Sequence, residues 1–88
     1  MRSSVGYSIK IKTSASKALN GIPKRDRLRL IEAIERLRAE PLAGGALKGE
    51  FSGLRRLRIG IYRVVYEVIH EQVIVLVVRI GHRRDVDR

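Results

Sequence analysis

Three arginines offer the first chemistry in this sequence. Arg56, Arg58 and Arg63 lie in two alternating, largely apolar segments separated by Gly60-Ile61. A glycine-first pair between such segments suits a two-residue type II′ hairpin loop. With that loop, Ile59 sits opposite Tyr62, Arg58 opposite Arg63, Leu57 opposite Val64 and Arg56 opposite Val65. Strand side chains alternate, so Leu57, Ile59, Tyr62 and Val64 form an apolar face and the three arginines a cationic one. Like charges set directly opposite each other cost a sheet about 0.2–1 kcal/mol. An anionic ligand on this face would offset that cost. Arginine suits phosphate because its planar fork grips two oxygens and stays protonated. A solvated outer face on a very basic chain is the other reading of the same pattern. A one-residue slip in pairing would scatter the cluster, which makes the register a sharp expectation.

A second basic cluster closes the chain: Gly81-His82-Arg83-Arg84-Asp85-Val86-Asp87-Arg88. Gly81 permits a turn, and a tail folded back over the sheet would bring His82 and Arg83 to the arginine face. Histidine titrates near neutrality and can move protons. A histidine in a basic tail also reads as a plain surface residue, and His70, in a turn at the far end of the hairpin, is read that way. Cysteine is absent. That excludes disulfides, thiol catalysis and thiolate metal sites. Two histidines with no carboxylate cluster make no structural zinc site, and no cofactor motif is present.

The elements that must position these residues follow from periodicity. Residues 7–12 alternate strictly, with Tyr7, Ile9 and Ile11 on one face and Ser8, Lys10 and Lys12 on the other, as in a half-buried strand. Thr13 and Ser14 supply N-cap hydroxyls for a short helix over 15–20, closed by Asn20-Gly21. Pro23 restarts the chain. Leu28, Leu30, Ile31, Ile34 and Leu37 recur at three- and four-residue spacings and predict an amphipathic helix over 24–39, whose charged face includes Arg29, Glu32, Arg36 and Glu40. Pro41 stops it, and 42–46 reads as a loop. Three strands follow over 54–59, 62–69 and 73–80. The last is apolar on both faces, so it is read as central, with the N-terminal strand on its free edge. The fold class is α+β in the order β-α-α-β-β-β: an antiparallel meander completed by the N-terminal strand, with both helices on one face.

Composition bounds the rest. The chain has 88 residues, 44% of them hydrophobic and 32% charged, and 19 Lys and Arg against 9 Asp and Glu give a net charge of +10. This is a globular balance for one domain over 1–88. No apolar run approaches the roughly 18 residues that span a membrane, and no apolar signal segment follows Met1-Arg2-Ser3-Ser4, so the expected location is the cytoplasm. A charge of this size favours a polyanion or an acidic protein as partner.

Three stretches together resemble the RelE branch of the RelE/ParE toxin superfamily. They are Leu47-Lys48-Gly49, then residues 54–67 with their Arg56-x-Arg58 and Gly60-x-Tyr62-Arg63 elements, then 77–86 with Gly81-His82-Arg83. The resemblance covers almost the whole chain. It implies a bacterial or archaeal type II toxin that enters the ribosomal A site and cuts the mRNA codon there. No metal is needed: the RNA 2′-hydroxyl attacks the adjacent phosphate, leaving a 2′,3′-cyclic phosphate and a 5′-hydroxyl. Such chemistry needs a base for the 2′ proton, cations for the crowded phosphorane and a proton for the leaving oxygen. Matched by position, Arg63 and Arg83 clamp the phosphate and stabilise charge. Arg56 and Arg58 hold the RNA backbone and lower the cost of the developing charge, and His82 is the acid/base candidate. Lys48, Arg55 and Arg84 are expected to add RNA contacts. The resemblance also implies an acidic antitoxin as partner, with operator DNA reached only through that antitoxin. One departure stands out: where many relatives have a base-stacking tyrosine, this chain has Asp87, which cannot stack. Two alternatives follow from the same residues. One is a ParE-type gyrase inhibitor, and the other a weakened toxin fold that only binds antitoxin and operator.

Overall fold

The structure, a computed structural model, describes residues 6–82 and residue 84. Arg83, Asp85 and Asp87 lie outside the described residues. The elements are β1 (Ser8–Ile11), α1 (Thr13–Asn20), α2 (Lys24–Arg36), β2 (Gly45–Ala46), β3 (Leu54–Ile59), β4 (Tyr62–Ile69) and β5 (Ile74–His82). They form one five-stranded sheet in the order β1-β5-β4-β3-β2. β5 is central, as its two-sided apolar character predicts. β3, β4 and β5 make the expected antiparallel meander. β1 completes the sheet along β5 but in parallel, with Ser8 opposite Ile74 and Ile11 opposite Val77. The helices carry the chain back, so β3 runs in the same sense as β1. Two reversals later β5 shares that sense, which makes the sheet mixed.

Both helices cover one face. Ala15 and Leu19 of α1, Leu30 and Ile34 of α2, and Ile22 and Leu37 beyond the helix ends pack with Val64, Tyr66, Val75, Val77 and Ile80. Leu30, Ile34 and Leu37 are fully buried. Each such burial is worth about 1.5–3 kcal/mol. Leu28 and Ile31, also on the apolar periodicity of α2, are exposed instead, because the five positions span about half the helix circumference and only the side bearing Leu30, Ile34 and Leu37 packs into the core.

Local chemistry moves several boundaries. Thr13 and Ser14 are the first helical residues of α1 and not its caps; Lys12 is the N-cap, and no side chain bonds there. Gly21 ends α1 with right-handed dihedrals, and the left-handed glycine cap is not used. α2 begins directly after Pro23 and ends at Arg36. Residues 38 and 39 continue only through i→i−3 bonds to Glu35 and Arg36, the tighter winding common at helix ends. The 42–46 loop holds an extra short strand, β2, paired at Gly45–Arg56 and Ala46–Arg55. Tyr66 fixes it. The buried hydroxyl donates to the Pro41 carbonyl at 2.8 Å and accepts the Gly44 N–H at 2.9 Å. Burial pushes the Tyr66 phenol pKa up, against the weaker opposing pull of the Gly44 N–H and the Arg55 charge. The β4–β5 turn is longer than a tight hairpin. A 3₁₀ turn over His70–Gln72 leads into Val73, which sits in the left-handed region at φ 56°. Gly81 and His82 extend β5 and do not turn. Among the described residues no helix is long and apolar enough to cross a membrane.

Candidate functional site

The β3–β4 hairpin sets the site. Gly60 takes φ 61° while Ile61 keeps a negative φ, the type II′ pattern that a side chain at position 60 would oppose. The pairing is Ile59–Tyr62, Arg58–Arg63, Leu57–Val64 and Arg56–Val65, as the loop length predicts. Arg56, Arg58 and Arg63 therefore share the sheet face turned away from the helices. β5 extends that face with Gly81 opposite Arg63 and Arg79 opposite Val65. Two rows result across the sheet: Arg58–Arg63–Gly81 and Arg56–Val65–Arg79. Strands lie about 4.8 Å apart and residues two apart along a strand about 6.7 Å, so the four arginine Cα atoms fall within roughly 12 Å of one another.

Arg63 is the buried member of the group, with 8% of its surface exposed. Its Nη1 donates to the Tyr62 carbonyl at 3.2 Å, which lays the guanidinium along the backbone. A partly dehydrated cation attracts an anion more strongly than one in bulk water. Arg58 is exposed at the sheet edge and lines the clefts on either side of it. The larger cleft, about 420 Å³, lies between α2 and the β3–β4 turn, over a floor that includes Leu57 and Ile59.

The other predicted site residues scatter. His82 pairs with Tyr62, with ring centroids 6.4 Å apart in an edge-on contact, and so faces the helix side of the sheet. The tail was expected to fold back at Gly81 and deliver His82 to the arginine face. Instead β5 runs on through residue 82, and alternation places His82 opposite to that face. Its Nδ1 accepts the Arg84 backbone N–H at 3.2 Å. That assigns the neutral ring proton to Nε2. Arg55 also faces the helices. Its Nη1 donates to the Gly44 carbonyl at 2.6 Å and the Leu42 carbonyl at 3.3 Å, tying down the strand-bearing loop. Lys48 is exposed in the loop before β3, and Arg84 is exposed beyond β5.

Arg79 was not among the predicted site residues. The signal for it was a single charge in the apolar run 73–80. A bulge hid its direction: Val65 pairs with Arg79 but Tyr66 pairs with Val77, which leaves Val78 as an extra residue in β5. Among the described residues no three His, Cys, Asp or Glu side chains gather in a way that would hold a metal ion.

Comparison with known proteins places this geometry. The model of a family described as the ParE toxin of the type II toxin–antitoxin system parDE matches residues 9–87. Toxin RelG of Mycobacterium tuberculosis is 33% identical over 84 residues, covering 93% of this chain and 97% of that protein. The toxin–antitoxin complex RelBE2 of the same organism contains a chain that superposes with a TM-score of 0.83 at 32% identity, covering 90% of this chain and all of that one. A chain of the archaeal RelE–RelB complex from Pyrococcus horikoshii gives a TM-score of 0.77 at 30% identity, covering 89% of this chain and 96% of that one.

Proposed function

The chain belongs to the RelE/ParE superfamily of type II toxins, and from that premise we propose that it is a ribosome-dependent mRNA endonuclease that cuts the A-site codon. The observation that carries the reading is the arginine face. Arg58 and Arg63 stand directly opposite each other, with Arg56 one row away, on the sheet face turned away from α1 and α2. A fold gains nothing from facing two guanidiniums, whereas a phosphodiester gains a clamp from both sides.

The chemistry is an in-line displacement within the RNA. The 2′-oxygen loses its proton and bonds to the adjacent phosphorus, and the bond to the 5′-oxygen breaks. A 2′,3′-cyclic phosphate remains, and the leaving oxygen takes up a proton. Negative charge builds on the equatorial oxygens of the phosphorane. Arg63, partly buried and fixed by its bond to the Tyr62 carbonyl, is preorganised to meet it, which is where electrostatic catalysis gains most. Arg58 grips the same phosphate from the exposed edge, and Arg56 holds the neighbouring backbone. Arg83 completes the clamp on this reading. Guanidiniums do not take protons near neutrality, so proton transfer falls to His82 only if the end of β5 leaves Tyr62 and carries the ring round to the arginine face. Its Nδ1 either accepts the Arg84 amide or carries a proton, so that contact must open for the ring to act. The requirement for a 2′-hydroxyl restricts cutting to RNA.

A cationic toxin of this kind needs neutralising. The proposed partner is an acidic antitoxin whose amphipathic segment covers the arginine face, with operator DNA bound through the antitoxin alone. The solved relatives that carry an antitoxin chain support that partner.

Primer extension on a translated reporter mRNA after induction tests the reading. Cuts confined to the A-site codon, lost in Arg63→Ala, are expected. The match to the ParE family model favours a second reading, poisoning of DNA gyrase. Intact mRNA together with DNA-damage induction would establish that one instead.

A further inference from the structure

β5 is apolar from Ile74 to Ile80 except at one position, Arg79. A charge in a central strand needs a face to point to, and the bulge supplies it. With the extra residue at Val78, Arg79 stands beside Val65 on the face turned away from α1 and α2, while Ile80 on one side and Val77 and Val75 on the other are all buried. In a regular strand Arg79 would share its face with Val77 and Val75. Bulges of this sort interrupt pairing, and they recur where a side chain must be re-aimed beside a site. Here the re-aimed side chain joins Arg56 in the row next to Arg58 and Arg63. The two rows are separated by two residues along the strands, about 6.7 Å, a span comparable to one step along an extended nucleic-acid backbone.

We propose that Arg79 binds the RNA phosphate next to the scissile one, so that the arginine face grips two consecutive phosphates. This rests on the endonuclease reading for the identity of the ligand. Arg58 and Arg63 hold the phosphate that reacts, and Arg56 and Arg79, about 10 Å apart across Val65, straddle its neighbour. Arg79 is exposed, so its replacement leaves the core intact. Its task is to hold the strand in register with the reacting phosphate.

The test is the salt dependence of RNA binding, which needs no cleavage. A short, fluorescently labelled single-stranded RNA with 2′-O-methyl groups throughout is titrated with the purified protein between 50 and 200 mM salt, and anisotropy is read. Each phosphate contact on a single strand contributes about 0.7 to the slope of log affinity against log salt. Arg79→Gln is expected to lower the slope by about that amount. Arg25→Gln, an exposed arginine on α2, is expected to leave it unchanged. An unaltered slope in Arg79→Gln, an equal loss in both variants or no RNA binding by the wild type overturns the proposal. Failure of the endonuclease reading shows elsewhere, as uncut mRNA on ribosomes, while the slope still decides the place of Arg79.

Discussion

Two neighbouring glycines should respond to alanine in opposite ways, although Gly44 directly precedes β2 and Gly45 opens it. A Cβ on Gly44 would sit 2.8 Å from the Arg56 carbonyl oxygen, 2.8 Å from the Tyr66 hydroxyl and 3.0 Å from the Tyr66 ring. Two of those neighbours belong to a side chain with no exposed surface, and the third is sheet backbone. Relief therefore requires the loop to move. Moving it stretches the Gly44 N–H bond to Tyr66 and the Arg55 bond to the Gly44 carbonyl. Overpacking of this kind costs about 1–3 kcal/mol, and a weakened buried hydrogen bond adds about 1 kcal/mol. A loss of about 2–4 kcal/mol is a large share of the total stability of a chain this short. It corresponds to a drop in Tm of about 10–25 °C. A Cβ on Gly45 meets nothing within 4 Å, and its φ is not positive. Gly45→Ala should leave Tm unchanged or raise it slightly, because alanine restricts the unfolded chain. Thermal and urea unfolding followed by circular dichroism measure both. Equal Tm values for the two variants would refute the account of how Tyr66 and Arg55 hold β2 against Arg56.

Other outcomes follow from the same geometry. Arg63→Ala should lower kcat for ribosome-dependent cleavage by about 10²–10³, the usual effect of removing one preorganised donor from a developing oxyanion; single-turnover kinetics on programmed ribosomes check it. Tyr66 should make the protein sensitive to alkali. Its folded-state pKa is raised above the ordinary 10.0, so its contribution is fully present below that value and is lost as pH rises through the folded pKa. Urea unfolding of the wild type and Tyr66→Phe across pH 8–11 should show the variant weaker at pH 8, and the gap narrowing as the phenol ionises. Val73→Gly should stabilise the protein by about 0.5–1 kcal/mol, since a β-branched residue in the left-handed region costs about 1–2 kcal/mol and glycine gives part of that back as unfolded-state entropy. A rise in Tm verifies it, and a fall would mean that the Val73 side chain contributes packing worth more than its strain.

The arginine cluster was readable from sequence because a two-residue loop leaves no freedom in pairing. Once Gly60-Ile61 is the turn, Arg58 must face Arg63. Arg79 was not readable, because one extra residue at Val78 reverses the alternation on which any face assignment depends. The same alternation explains His82. Gly81 looks like a turn in sequence, but opposite Arg63 it continues the strand, and that continuation carries His82 to the helix side. β2 is too short to show a period, and its existence depends on Tyr66 22 residues away from Gly44. The parallel pairing of β1 was also invisible, since one amphipathic strand reads alike in either direction. The α2 stripe promised burial for five apolar residues, yet Leu28 and Ile31 remain exposed because the five span about half the helix circumference and only one side of it packs into the core.

The central claim is that the arginine face directs a 2′-hydroxyl onto its own phosphate. Its most direct test uses purified protein, ribosomes and an mRNA with a defined A-site codon, with the same mRNA carrying a single 2′-deoxy nucleotide at the cut position as comparison. Cleavage of the all-ribose message to a 2′,3′-cyclic phosphate end, abolished by the 2′-deoxy substitution and by Arg63→Ala, is the predicted result. Cutting that survives the 2′-deoxy substitution, or a message left intact by the wild type, would contradict it.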